Sequence, residues 1–197
     1  MRTAREATPA DLDGCADVLS DAFADYPFTR HTIAADDHLR RLRGCHELLI
    51  REVGLPHGQV HVVDGPDGID AVAVWTVPGP AVEEALTRSA PRLAELAGDR
   101  AAVAADVEDA LARLRPSGEF WFLAPVGVRP SRQGLGYGRA VLTPGLAAAD
   151  AARRAAFLET SLPVNVDIYR RLGFAVTAEL DLPHGGPRTW AMVRPPR

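Results

Sequence analysis

The sequence predicts a mixed α/β fold: one sheet of about seven strands, helices on both faces, and a two-helix insertion. Three observations predict it. Short alternating or β-branched runs recur between longer segments with apolar residues at helical spacing. Their order, β-α-α-β-β-(α-α)-β-α-β-α-β-β, is that of a mixed sheet with helices on both faces. Finally, 197 residues with 47% hydrophobic content suffice for one sizeable core, so 1–197 reads as a single domain.

"TAREA" is a short first strand. Thr8-Pro9-Ala10-Asp11 then starts a helix: Thr8 can cap, Pro9 suits the first helical position, and Asp11 favours the positive end of the dipole. Leu12, Cys15, Ala16, Leu19 and Phe23 follow at helical spacing. "ADYPFTRHTIAAD" reads as a polar-aromatic loop broken at Pro27. Asp36 or Asp37 caps a second helix bearing Leu39, Leu42, Leu48 and Leu49. "QVHVVD" and "AVAVWTV" are strands around the turn "GPDGID". The first alternates like a half-buried strand, with Val60 and Val62 on one face and His61 and Val63 on the other.

Residues 81–115, rich in Ala, Leu, Glu and Arg, form two helices separated near Gly98-Asp99. "EFWFLAPVGV" is a strong strand, and "RQGLGYGRAVL" opens a helix reaching about Arg154. Pro144 should kink that helix without ending it. "AAFLET" is a strand, "VDIYRRLGF" a short helix stopped at Gly173, and two strands close the chain around "PHGGP".

The net charge is −4, which excludes a broad basic footprint for nucleic acid. Lysine is absent, so all 22 basic residues are arginine. No apolar run approaches the roughly 20 residues of a membrane span, and the N-terminal segment lacks a signal-peptide core. The expectation is a soluble cytoplasmic protein with no membrane partner. Cys15 and Cys45 fall in helices and read as free thiols. His57 and His61 stand four apart, but Gly58 and the strand pattern break a helical ligand pair, so no metal is expected. Cys45 and His46 diverge by about 100° on a helix and form no dyad.

The stretch with chemistry in it is "RQGLGYGRAVL", a strand-to-helix turn with Gly134, Gly136 and Gly138. The first N–H groups of a helix lack internal acceptors, and the dipole adds positive potential there. Closely spaced glycines let the backbone touch a phosphate. A dinucleotide fingerprint needs a different glycine spacing in a first βα unit, and a Walker loop needs Gly-Lys. A plain glycine-rich turn also fits the stretch alone.

Its surroundings narrow the choice. "VGVRPSRQGLGYG" and "FLETSLPVNVDIYRRLGF" resemble the two acetyl-CoA motifs of the GNAT acetyltransferase superfamily. The resemblance implies a mostly antiparallel GNAT-like sheet and acetyl-CoA as co-substrate. Val126, Gly127 and Val128 would pair with the pantetheine arm. Gln133, Gly134, Leu135, Gly136, Tyr137, Gly138 and Arg139 would hold the pyrophosphate, and Asn165 would contact the CoA arm. The Val128 N–H would be the oxyanion donor and Tyr169 the general acid. A tyrosine hydroxyl, with a reference pKa of ~10, can protonate a leaving thiolate. An α-amino group with a reference pKa of ~7.7–8.0 needs little help to lose its proton. Glu159, at the end of a central strand, is the candidate base, acting through water.

A narrower resemblance covers almost the whole chain, insertion included: "DAFADYPFTRHT", "AVAVWT", "GPRTW" and the blocks above match the aminonucleoside-acetylating branch of the superfamily. It implies a small-molecule amine acceptor, an aminonucleoside, for a monomer or homodimer. Asp25, Tyr26, Arg30 and His31, with Trp75 and Trp121 as flat apolar walls, are the candidate acceptor residues, and Phe28 would shape that pocket. A different small amine, a peptide N-terminus, and a noncatalytic acetyl-CoA-binding module are the alternatives.

Overall fold

The computed structural model describes residues 2–197. Its sheet has seven strands in the order β1-β2-β3-β4-β5-β7-β6. They are β1 (Arg5–Glu6), β2 (Gly58–Gly65), β3 (Gly68–Thr76), β4 (Phe120–Val128), β5 (Ala155–Thr160), β6 (Ala175–Asp181) and β7 (Arg188–Arg194). Every neighbouring pair is antiparallel except β4 and β5. This is the mixed sheet that the element order predicts, mostly antiparallel as the resemblance implies.

Helices cover both faces. On one face α1 (Leu12–Phe23) packs Cys15, Val18 and Leu19 against Val60, Val62, Val72 and Val74. On the other, α7 (Tyr137–Ala151) and α8 (Pro163–Arg171) pack Val141, Leu142, Val166 and Tyr169 against Val63, Ala73, Trp75 and Leu158. Alternation in β2 therefore separates two cores. Val60, His61, Val62 and Val63 are all buried, so the expected half-buried strand is covered on both sides.

The helix start at Thr8 forms as expected, with the Thr8 N–H donating to Asp11 Oδ2 at 2.8 Å. Two local readings change. Pro27, expected to break a loop, is the first residue of a short helix α2 (Pro27–Thr32), a position its fixed φ suits. Asp37 precedes α3 (His38–Leu49) in the left-handed region, away from the extended backbone of a capping residue; it makes no capping bond, and its carboxylate pairs with Arg40 at 2.9 Å. A π turn at Ile50–Gly54 then carries the helical path into the short α4 (Leu55–His57).

The insertion forms α5 (Pro80–Ala97) and α6 (Ala101–Ala112). Val82 and Ala85 of α5 pack on Val53. Val107 and Leu111 of α6 pack on Leu182, Leu180 and Phe28. The insertion thus straps the α3 side of the molecule to α2 and the β6–β7 hairpin.

Pro144 lies within α7, which continues unbroken to Ala151. The next residue, Gly145, is where the Trp75 indole crosses the helix. A Cβ there would lie 2.2 Å from Trp75 Nε1. Because Trp75 is fully buried, the ring has nowhere to retreat. Gly145→Ala should cost about 1–3 kcal/mol in chemical denaturation, the usual range for overpacking.

His46 on α3 is buried against Phe23, ring centroids 5.4 Å apart, and burial pushes its imidazole down to about 4. In the unfolded chain a histidine protonates near pH 6.5. The unfolded state therefore holds more protons as the pH drops from about 6.5 towards 4, and stability falls over that window. Urea titrations at pH 7 and pH 5 should show a smaller loss in His46→Phe than in the unaltered protein.

Candidate active site

The site begins where β4 and β5 part. These parallel strands pair at Phe120↔Ala155, Trp121↔Ala156 and Phe122↔Phe157, and nowhere further. Yet β4 runs on to Val128 and β5 to Thr160. The cause is local. Between Ala73↔Val126 and Trp75↔Leu123 the β3–β4 register shifts, so that Ala124 and Pro125 oppose one residue of β3. Such a bulge bends its strand, and Pro125 has no N–H to offer a neighbour.

Beyond the bulge, the outer edge of β4 faces a gap. The Arg129 N–H donates to the Asp70 carbonyl at 2.9 Å, on the β3 side. Backbone groups alternate along a strand, so the N–H groups of Val128 and Val126 point the other way, where no strand pairs. The Val128 carbonyl on that edge accepts from Gln133 Nε2 at 3.2 Å. Gly127 lets α1 come close: a Cβ there would lie 3.0 Å from both Leu19 and Ala22.

The glycine loop is anchored from below. Arg129 Nε donates to the Ile69 carbonyl at 2.8 Å, and Arg132 Nε lies 3.1 Å from the buried Asp70 carboxylate. Gly136, at φ 85°, immediately precedes α7, and a Cβ there would meet open space. The first helical bond runs from the Ala140 N–H to the Gly136 carbonyl, leaving the N–H groups of Tyr137, Gly138 and Arg139 without helical acceptors. Gly134, Leu135 and Arg139 are exposed around this cradle. The Tyr137 side chain is not: it is buried in the core, with the Arg2 guanidinium 4.2 Å above its ring. Only the Tyr137 backbone faces the loop.

Along β5, Ala156 and Leu158 face α7 and α8, so Phe157 and Glu159 face the opposite side. Glu159 stands two residues past the last β4–β5 pair, at the mouth of the gap. Its side chain is 13% exposed, and burial raises its carboxyl to about 7 despite Arg115 nearby. Tyr169 lies on α8 across the strand, 8% exposed and edge-on to Phe174 at 5.8 Å. Burial, then the neighbouring Tyr26 phenol, push its hydroxyl well above its ordinary value, so it stays protonated at neutral pH.

The end of β5 carries a polar knot that sequence reading missed. The Tyr26 hydroxyl accepts the Ser161 N–H at 2.6 Å and lies 3.0 Å from Thr160 Oγ1. Asn165 Nδ2 donates to the same Thr160 oxygen at 3.1 Å. These bonds tie the start of α2, the end of β5 and α8 together. The only sequence signal was "TS" closing an apolar strand.

Of the expected acceptor residues, Tyr26 alone reaches this centre. Asp25 is 89% exposed and pairs with Arg30 at 2.7 Å on the surface. His31 is held elsewhere: its Nδ1 accepts from Arg100 at 3.1 Å, and Nε2–H donates to the Pro183 carbonyl at 2.9 Å. An arginine can only donate, which fixes the tautomer. Trp75 and Trp121 are core residues packed against α7, and Phe28 packs on α6. Trp75 and Trp121 also line a small pocket with His57, Gly58, Gln59 and Val77. Among the described residues, no three His, Cys, Asp or Glu side chains converge as a metal would need.

Residues 84–174 match the sequence model of the Acetyltransferase (GNAT) family. A Corynebacterium glutamicum crystal structure, described as histone acetyltransferase HPA2 and related acetyltransferase, is 31% identical. The match covers 100% of this chain and 98% of that one, with a TM-score of 0.78. The chain belongs to the GNAT acetyltransferase family. The fold recurs in a mosquito arylalkylamine N-acetyltransferase-like 5b at 14% identity, covering 99% of this chain and 100% of that one, TM-score 0.65. It recurs again in the Escherichia coli ribosomal-protein-S18-alanine N-acetyltransferase at 15% identity, with coverage of 99% and 94% and a TM-score of 0.59.

The protein is therefore an acetyl-CoA-dependent acetyltransferase. Its residues fit that co-substrate. The unpaired β4 edge offers amide groups to an extended arm, and the open cradle at Gly136 offers N–H groups and a helix dipole to a pyrophosphate. When bound, acetyl-CoA supplies a thioester carbonyl open to attack. Gly136→Ala puts a methyl into the cradle and disfavours the left-handed backbone. Acetyl-CoA affinity measured calorimetrically should fall about tenfold, roughly 1.4 kcal/mol, with the far-UV spectrum unchanged.

Proposed function

We propose that this acetyltransferase acetylates the primary amine of puromycin or a related aminonucleoside, by direct transfer. The observation that carries the direct route is the placement of Glu159 and Tyr169 on opposite faces of β5, either side of the strand gap. Base and acid must meet different atoms: one serves the incoming amine, the other the departing sulfur. In this reading Glu159 accepts a proton from the acceptor ammonium through a water. The Val128 N–H donates to the carbonyl oxygen as charge gathers there. As the amine nitrogen bonds to the carbonyl carbon and the C–S bond breaks, Tyr169 gives its hydroxyl proton to the leaving thiolate and is restored by the second proton that the nitrogen loses on becoming an amide.

The acceptor assignment rests on the ordered blocks "DAFADYPFTRHT", "AVAVWT", "FLETS-P-N---Y-RLGF" and "GPRTW", which resemble puromycin N-acetyltransferase. The α5–α6 strap supports a small covered acceptor over a long peptide, which needs an open groove. Tyr26, one of the expected acceptor contacts, lies with Asn165 at the end of β5, which supports an acceptor bound near that end.

Release of CoA thiol, measured with puromycin and a panel of arylalkylamines, polyamines and peptides, tests the acceptor. Turnover with puromycin is expected; turnover confined to another amine would falsify the assignment while leaving the fold intact. For the acid, Tyr169→Phe should lower turnover by about 100-fold, within the range of lost general acid–base catalysis, and leave acetyl-CoA affinity within about twofold. For the base, the pH profile of kcat/KM should lose activity below about pH 7, as Glu159 protonates. Glu159→Gln should remove that acid limb along with most of the rate.

A further inference from the structure

We propose that Arg115, supplied by the α5–α6 insertion, is a positioning residue for acetyl transfer, holding the Glu159 carboxylate at the mouth of the β4–β5 gap. This rests on the reading of Glu159 as the base. It makes the insertion part of the working machinery as well as a strap across the fold.

Arg115 lies just past α6, where the Leu114 N–H bonds back to the Leu111 carbonyl at 2.9 Å and turns the chain over the sheet. Three contacts restrain its guanidinium. Nη2 pairs with Glu108 Oε1 at 2.7 Å. The Cζ atom stands 5.4 Å above the ring of Phe122, the last β4 residue paired with β5. Nε faces Glu159 Oε1 at 3.7 Å, close enough for charge attraction and too far for a hydrogen bond.

Arg115 Nε and Glu159 Oε1 are both buried and have no hydrogen-bond partner in the protein. Two complementary charged groups normally close such a distance, because each unmade buried bond is costly. Here the competing pull of Glu108 holds the guanidinium back. Oε1 is thereby left without a hydrogen bond inside the fold, and the carboxylate stands beside Arg115 without being locked to it.

Among the described residues, the charges that act on the carboxyl both come from the insertion. Glu159 is paired across the sheet with Ala191, and the cluster on its face consists of Phe120, Phe122, Phe157, Ala178 and Val193, with Leu114. Arg115 and Glu108 are those two groups. Burial favours the neutral acid and Arg115 favours the anion.

The test follows the carboxyl itself. The full-length protein, with 13C-labelled glutamate carboxyls, is titrated by NMR, and the Glu159 signal is identified by its absence in Glu159→Gln. In Arg115→Gln the midpoint should rise by about one pH unit, the lower end expected for losing an adjacent cation. In Arg115→Lys it should stay near its original place, and in Glu108→Gln it should fall. Turnover should follow. A rise of about one unit from about 7 leaves roughly a fifth as much anion at pH 7, so kcat/KM should drop about fivefold there and recover by pH 9.

An unmoved midpoint in folded Arg115→Gln would overturn the proposal. So would an activity loss equal at pH 7 and pH 9, which marks a structural role only. Should Arg115→Gln not fold, an unmoved midpoint in Glu108→Gln overturns it equally. Full activity in Glu159→Gln would instead overturn the base assignment, and the NMR midpoints would still decide whether Arg115 controls the carboxyl.

Discussion

The parting of β4 from β5 is the constraint on which the rest of this molecule depends. A parallel pair inside a sheet ordinarily buries its whole length, because unpaired N–H and C=O groups are costly away from water. Here pairing stops at Phe122↔Phe157, and the bulge at Ala124-Pro125 carries β4 away. The strand keeps its other edge bonded to β3 through Val128. What remains is one rigid edge of unused backbone donors, followed at once by a glycine turn and a helix N-terminus. Each donates to whatever fills the gap, and none requires a charged side chain. That explains how a chain with no lysine can cradle a pyrophosphate.

The two faces of β5 then hold different groups. Because residues alternate across a strand, Glu159 and Thr160 leave the strand's end in opposite directions. Thr160 gathers Tyr26 and Asn165 into the knot beside Tyr169. Glu159 is left among aromatic rings with Arg115 and Glu108 as its charged company. Burial acts on both titratable groups but with different consequences: it keeps the phenol protonated and brings the carboxyl near neutrality.

The insertion is held by several modest contacts. Phe28, Val107, Leu111 and Leu182 form an apolar joint, Arg100 and the Pro183 carbonyl clamp His31, and His184 reaches Asp106 at 2.6 Å. His31, which the "DYPFTRHT" stretch suggested as an acceptor contact, serves this joint instead. The same stretch supplies Tyr26 to the end of β5, so one short segment links the strap to the polar knot beside Tyr169.

The seven strands, the longer helices, the glycine turn at a helix start and Tyr169 in its helix were legible in the sequence, because each rests on local periodicity or fixed spacing. The roles of Trp75, Trp121, His31 and the Tyr137 side chain were not, because a residue type does not say whether it meets core or solvent. Trp75 became core through its close crossing at Gly145, some seventy residues away in sequence. Arg115 gave no signal at all, since only the fold of the insertion carries it over Phe122. The sequence by itself determined which backbone shapes form and which groups they carry to helix starts and strand ends. Tertiary structure alone decided which side chains share a low-dielectric neighbourhood, and there charge and burial set what each group can do.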